Sequence, residues 1–466
     1  GTMTGVITDM DGNFEIVAPY SKATLVFSYV GYQPKEVSLK GERIVNVKMV
    51  EDAKALEEVV VVGYTTQRKA TITGSVATIT TKDLKQSPTA NLTNALAGRM
   101  PGLMANQFSG GEPGVDGADL RIRGASTYGD QTPIFIIDGV ERDDMAYLAP
   151  EEIETFTILK DASATAAYGI RGANGVVVIT TKRGQAGEVK IDYNGYLGWK
   201  GFTHEIDLLS GKDLAELINE EMYNQDPSRK DYMAGLSDPE SIGKGYNMFK
   251  AITHTASYQK HNVSISGGSK DANFRVTGIY GNDNSLYIKE GSENMSLNVV
   301  SDFKKGIFGF GETLTVGRNL NHSTDMLKLI AIKWSTACPI YDPTSSTGYA
   351  GASLGTDMEN PRATADNTWN RNETNTMTGN AWITAEPIKG LVYKFNMGAD
   401  LYRNNGRSYD ANYVVGDYQK NTPDTYSMSN NRSNRFLYEH TLTFDKTFNL
   451  HHINVMEYSY MDLKLL

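Results

Sequence analysis

A single cysteine, Cys338, stands in 466 residues. That excludes an internal disulfide framework and any cysteine-built zinc site. Histidines number 7, and the adjacent His451 and His452 point to opposite faces of a strand, so no shared metal is expected. No apolar run nears the about 20 residues that a spanning helix needs; the cleanest are short, such as Val59–Val62 and Ile134–Ile137. Basic residues are also scarce, 45 against 55 acidic for a net charge of −10. Neutralising phosphates needs clustered cations, so no nucleic-acid partner is expected. The patterns G-x-x-x-x-G-K-[ST], H-E-x-x-H and G-x-S-x-G are missing. The carboxylate pairs Asp143-Asp144 and Glu151-Glu152 are adjacent, which suits solvated turns or a helix start rather than acid/base work across a substrate. No enzyme, catalytic residue, metal or cofactor is expected.

Glycine (45) and tyrosine (26) are abundant, which favours β structure with many turns. Residues 1–50 read as a small, incomplete β-sandwich. Asp11-Gly12 between extended runs is a hairpin signal, and Leu25, Phe27 and Tyr29 alternate with Val26, Ser28 and Val30 as if buried on both faces. The Asp9/Asp11/Asn13 cluster reads as a turn or a calcium loop, and Gly12 is misplaced for an EF-hand. Residues 51–69 are a linker around Glu57-Glu58-Val59-Val60-Val61-Val62-Gly63-Tyr64. This strand is either buried or exposed for docking on a partner's sheet edge. Residues 70–187 read as a compact α+β unit of short elements punctuated by glycine, with a helix over Leu92–Leu96 that Gly98 ends.

From Glu188 onward, apolar and polar residues alternate in about nine strands: near 188–201, 257–268, 272–283, 291–304, 307–320, 375–386, 390–403, 432–447 and 450–460. These are long against a usual strand of about five or six residues. Short and long connections alternate, and aromatics such as Trp199, Phe202, Tyr402 and Tyr438 cluster at strand ends. The pattern fits an antiparallel outer-membrane β-barrel, or else a soluble all-β protein with half-exposed sheets.

The motifs of residues 1–187 resemble the SusC/RagA-like TonB-linked outer-membrane receptors. Phe27-Ser28-Tyr29-Val30-Gly31-Tyr32 is similar to the tail of the carboxypeptidase-regulatory-like extension, and Glu57 through Tyr64 to the TonB box. The plug motifs follow in the family's order. They are Ala95-Leu96-Ala97-Gly98-Arg99-Met100-Pro101-Gly102, Arg121-Ile122-Arg123-Gly124, Ile137-Asp138-Gly139-Val140, Lys160-Asp161 and Tyr168-Gly169-Ile170-Arg171-Gly172-Ala173-Asn174-Gly175.

The resemblance implies a β-sandwich extension (1–50), a TonB box (57–64), a plug (70–187) and part of a transmembrane barrel (188–466). Plugged barrels of this kind have about 22 strands, so the chain reads as a fragment of a longer protein or a truncated product. It also implies TonB-dependent import of an oligosaccharide or glycan, with peptide as the alternative substrate. A ligand-sensing receptor or a surface binding protein without transport is the alternative function. The implied location is the outer membrane, in contact with its lipid, with a periplasmic N-terminus. The implied partners are the TonB C-terminal domain, energised through the inner-membrane TonB complex, and a SusD-like surface lipoprotein lid. Plug charges Arg99, Arg121, Arg123, Asp138 and Arg171 are expected to pair with the barrel wall. Loop residues Trp334, Tyr341, Trp369 and Arg371 are candidate ligand contacts.

Overall fold

The structure is a computed structural model. It describes residues 6, 8, 13–17, 23–27, 35–39, 41, 44–49, 59–62, 65–68, 76–84, 92–107, 117–124, 128–142, 145, 148–228, 235–326, 328–417, 419–448 and 451–465.

In the N-terminal segment, β1 (Thr24–Phe27) pairs antiparallel with β2 (Lys35–Ser38). Val26 is 62% exposed while Leu25 and Phe27 are half-buried. For Leu25–Phe27 the expectation of burial on both faces is therefore corrected: one face is covered, with Phe14 edge-on to Phe27 at 5.2 Å, while Ser28, Tyr29 and Val30 lie outside the described residues. The expected turn at Asp11-Gly12 and the Asp9/Asp11 pair lie outside the described residues. Next, β3 (Val59–Val62) pairs antiparallel with β4 (Thr65–Arg68).

The plug is built on five strands: β5 (Val76–Thr80), β8 (Ile134–Ile137), β9 (Val140–Arg142), β10 (Ile153–Leu159) and β11 (Val176–Thr181). Their order is β5-β10-β11-β8-β9, and β11 runs parallel to β8. A separate pair joins β6 (Leu103–Gln107) to β7 (Ala118–Ile122). Ile134–Ile137 and Val176–Ile179 are continuous apolar runs because both faces of this sheet are covered. On one side Phe156, Ile158, Val177 and Ile179 pack against Leu92 and Leu96. On the other, Ile136, Leu159, Val176 and Val178 pack against Ala164 and Tyr168. Each fully buried side chain of this size contributes about 1.5–3 kcal/mol. Between β8 and β9, Asp138 and Gly139 both have positive φ (51° and 83°), as a type I′ hairpin turn demands.

The nine expected strands form one antiparallel sheet in chain order: β12 (Gly187–Lys200), β13 (Ala256–Gly268), β14 (Ala272–Asn284), β15 (Gly291–Lys305), β16 (Phe308–Ser323), β17 (Thr368–Ile388), β18 (Leu391–Asp410), β21 (Thr425–Phe448) and β22 (His451–Leu465). A small hairpin of β19 (Tyr413–Val415) and β20 (Gln419–Asn421) sits in a connection. Three strands outrun the expectation by seven residues each: β17 starts earlier, β18 ends later and β21 starts earlier. The added segments are rich in Asn, Arg and Ser, and polar side chains on both faces hide a strand's period.

Short turns (269–271, 306–307, 389–390) and the described parts of the long connections (201–255, 324–367, 411–424) lie at opposite ends of the sheet. Chain 201–255 contributes the helix Gly211–Gln225, capped by Ser210 Oγ accepting from Asp213 N at 3.1 Å. It packs with chain 324–367 around Met248, Ile252, Trp334, Cys338 and Ala365. Among the described residues no helix is long and apolar enough to cross a membrane.

Candidate functional site

The plug sits against one face of the nine-stranded sheet, and charged side chains make the contact. Pro150–Glu152 is a single 3-10 turn leading into β10. There Glu151 accepts from Lys260 of β13 at 2.7 Å, with both side chains under a tenth exposed. Its neighbour Glu152 is 2% exposed and faces Arg275 of β14 at 3.6 Å. Burial raises the Glu152 carboxyl above its ordinary value, and the Arg275 charge offsets part of that. The expectation of solvated turns at Glu151-Glu152 is therefore corrected: both are buried, and the helix-start part holds in the 3-10 turn.

Three more contacts complete the belt. From β9, Arg142 pairs with Asp400 and donates to Gly379 O at 3.1 Å on the wall. After β11, Arg183 donates to both oxygens of Asp302, at 2.6 and 2.7 Å, and its guanidinium lies 5.0 Å from the Trp382 ring centre. Wall residue Arg435 reaches Glu141 of the plug at 3.4 Å and Asp462 of β22 at 2.8 Å. Behind this contact the wall carries a polar ladder. Asn380 donates to Asn396 at 3.2 Å, Asn396 to Glu439 at 2.6 Å, and Tyr458 to Glu439 at 2.7 Å. A polar inner face with an apolar outer one is the barrel pattern. Val263, Leu297, Val316 and Met377 stay 43–49% exposed on the far face.

Of the five plug charges expected at the wall, two reach it: Asp138 acts on Lys394 of β18 through its charge, and Arg171 makes a direct contact. Arg171 pairs with Glu141 at 2.8 Å and lies 5.1 Å from the Tyr460 ring centre. Arg99 donates to Asp83 O, Arg123 pairs with Asp161, and Asp138 accepts from Thr181 N and Oγ at 2.9 and 2.7 Å. Arg121 lines a surface concavity with Asp119 and Asp130. Arg99, Arg123 and Asp138 knit the plug itself, because they sit on its own turns and hairpins. The wall contacts fall to Glu141, Arg142, Glu151, Glu152 and Arg183, which sequence reasoning missed. The available signal was Lys260 and Arg275 at inward positions of alternating strands.

The other plug motif residues converge. Arg123, Gly124, Lys160, Gly172, Asn174 and Gly175 line one cavity of about 330 Å³. Lys160 Nζ donates to Pro101 O at 2.9 Å beside Gly102, and Asn174 Nδ2 donates to Asp130 O at 2.9 Å. A Cβ on Gly175 would meet Ile122 Cδ1 at 2.7 Å, and its φ is +92°. Tyr168 is core.

Of the docking segment, Val59–Val62 forms a strand; Glu57, Glu58, Gly63 and Tyr64 lie outside the described residues. Among the described residues β3 pairs with β4 and no other strand. For the ligand candidates, Trp334 is 2% exposed and donates to Cys338 O at 3.1 Å. It is core to the loop unit, because its indole is wedged between the two long connections. Trp369 and Arg371 stand on outward positions of β17, on the same face as Met377, so they face away from the plug. Tyr341 is 52% exposed and stays on a loop, with Tyr349 at 5.7 Å.

Residues 68–176 match the TonB-dependent Receptor Plug Domain, and residues 1–61 match the CarboxypepD_reg-like domain. TonB-dependent receptor P3 of Formosa agariphila is 28% identical over 481 residues, covering 100% of this chain and 46% of that protein. TonB-dependent receptor SusC of Bacteroides thetaiotaomicron is 36% identical over 298 residues, covering 61% of this chain and 28% of that protein. The chain thus spans less than half the length of these relatives. Among solved structures, the RagAB peptide importer in its open-open state superposes with a TM-score of 0.70 at 22% identity, over 87% of this chain and 50% of that one.

Proposed function

We propose, from the premise that this chain belongs to the SusC/RagA-like TonB-dependent receptors, that it supplies the plug and part of the wall of an outer-membrane importer. The plug blocks a wide barrel, and substrate enters from the long-loop side. The strand Val59–Val62, within the segment 57–64, is the handle for the TonB C-terminal domain. Strand addition gives several main-chain hydrogen bonds that bear load along the strand. Pulling from the short-turn side, powered through the inner-membrane TonB complex, then displaces part of the plug. The N-terminus lies in the periplasm, and a SusD-like lipoprotein caps the other side.

One observation carries this reading. A folded plug is held on the polar face of a barrel-type sheet by buried ion pairs, with the valine strand just upstream in the chain. The substrate class is an oligosaccharide, with peptide as the alternative; loop residues such as Tyr341 offer an aromatic face suited to sugar rings. A Val60→Pro variant removes a main-chain donor from the handle. It keeps ligand binding at the cell surface and loses uptake; unchanged uptake sinks the importer reading. Uptake of labelled oligosaccharide and peptide pools separates the two substrates.

A further inference from the structure

The outward face of the wall carries a charge pattern that import does not use. Asp400 and Arg435 contact the plug, so Arg403 and Arg432, each three residues away on its strand, point outward. Strand register places Arg318, Asn375, Arg403 and Arg432 in one row across β16, β17, β18 and β21. Two residues toward the short-turn end, the row is Leu297, Val316, Met377 and Leu401. A groove of about 840 Å³ is lined by both rows, with Gly278 leaving its floor open.

Arg403 and Arg432 are direct cross-strand partners. At such a site Cβ atoms lie about 4.5–5.5 Å apart, and like charges repel. Arg318 is paired with Glu373 at 3.0 Å. Arg432 Nε reaches a neutral amide, Asn434, at 3.4 Å. Among the described residues no carboxylate pairs with Arg403. Further toward the long loops, Arg371 and Arg407 are again directly opposed. On the outward positions of these four strands, from the Val316 row to the Trp369–Tyr409–Tyr426 row, five arginines stand against one carboxylate, Glu373. The chain as a whole carries −10.

We propose that this groove binds a phosphorylated lipid of the outer leaflet, its phosphate bridging Arg403 and Arg432 and an acyl chain lying along Leu297, Val316 and Met377. A phosphate between two guanidiniums turns a repulsive pair into two charge-assisted contacts. The depth agrees. Outward apolar positions on β18 run from Leu391 to Leu401, about 33 Å along a strand and about 25 Å once tilted, against an apolar band of about 25 Å. The arginine row therefore falls at the head-group level on the long-loop side. This rests on the barrel reading above.

The test uses the complete receptor extracted from its own outer membranes. Native mass spectrometry compares its retention of monophosphoryl lipid A with the same lipid dephosphorylated. The wild-type protein retains the phosphorylated lipid at least about tenfold better, and Arg403→Gln with Arg432→Gln removes the preference. Equal retention of the two lipids by the wild type overturns the proposal, as does a preference that survives both substitutions. If the double variant does not assemble, the wild-type comparison decides alone. Absence of the protein from the outer membrane would instead overturn the barrel reading, and it is seen before any lipid is added.

Discussion

Lys260 and Glu151 meet at 2.7 Å with both side chains buried, joining a wall strand to a plug turn 109 positions away in the chain. Such a pair is weak evidence for net stability, since desolvation offsets much of the attraction. Removing one partner is different, because it strands a buried charge. Glu151→Ala is expected to cost about 3–5 kcal/mol. Replacing both, as Glu151→Leu with Lys260→Met, is expected to recover most of that. Urea unfolding of the single and double variants checks the cycle. Equal losses in both would show that the pair's own attraction holds the plug.

Glu152 gives the plug seat a pH dependence of definite sign. Burial raises its folded carboxyl above the ordinary 4.5. The protonated form is favoured in the folded state, so this contribution is fully present below the unfolded value. It is lost as pH rises through the folded one. Amide exchange of β10 and β11 should therefore quicken as pH rises over that window, after correction for intrinsic rates. In Glu152→Gln this dependence flattens. A flat difference between wild type and variant across the window rules the mechanism out.

The wall was legible because an inner and outer face force alternation, as in Leu391, Tyr393, Phe395 and Met397. Where both faces meet polar surroundings, as at Asn370–Thr374, the period vanishes although the hydrogen-bond ladder continues to Ser323 and Asp410. The plug core was legible in the same way, from runs that are apolar on both sides. Its seat was not. Glu151 and Glu152 carry no local sign that their partners are Lys260 and Arg275, because those partners lie on wall strands 109 or more positions along the chain. Trp334 failed as a ligand candidate for a related reason: an aromatic in a long connection looks exposed until a second connection packs over it.

Turn glycines at the short-loop end separate two kinds of constraint. Gly390 has φ +92°, and a Cβ there would meet Asp445 O at 2.4 Å. Gly306 has φ +62° with nothing within 4 Å. Gly306→Ala therefore carries the left-handed conformational penalty of about 1 kcal/mol. Gly390→Ala adds a clash with backbone that cannot move without breaking the β18–β21 ladder. Outer-membrane assembly, read as the heat-modifiable band, should fall for Gly390→Ala and stay near wild type for Gly306→Ala. Equal yields would mean that the turn at 389–390 relaxes freely.

Asn360 ties two long connections together, and its substitutions should divide its roles. It is 1% exposed. Its Oδ1 accepts from Ala363 N at 3.1 Å, capping the helix Pro361–Asn367, and its Nδ2 donates to Ile340 O and Ala350 O at 2.8 and 3.0 Å. Its backbone N donates to Gln419 Oε1 at 2.8 Å, which anchors the β19–β20 hairpin. Asn360→Asp keeps the cap and loses the two donors, leaving a buried charge against two carbonyls. Asn360→Ala loses both, and cap loss alone costs about 0.5–2 kcal/mol. Buried carbonyls left unpaired add about 1–3 kcal/mol each. Asp repels those carbonyls where Ala merely abandons them, so Asn360→Asp should be at least as damaging despite its intact cap. Amide exchange at Ala350 and Tyr413–Val415 should rise by tenfold or more in both variants. If Asn360→Asp behaves like wild type, the helix cap is the function of this residue, and the two connections are held together by Gln419 and their apolar core instead.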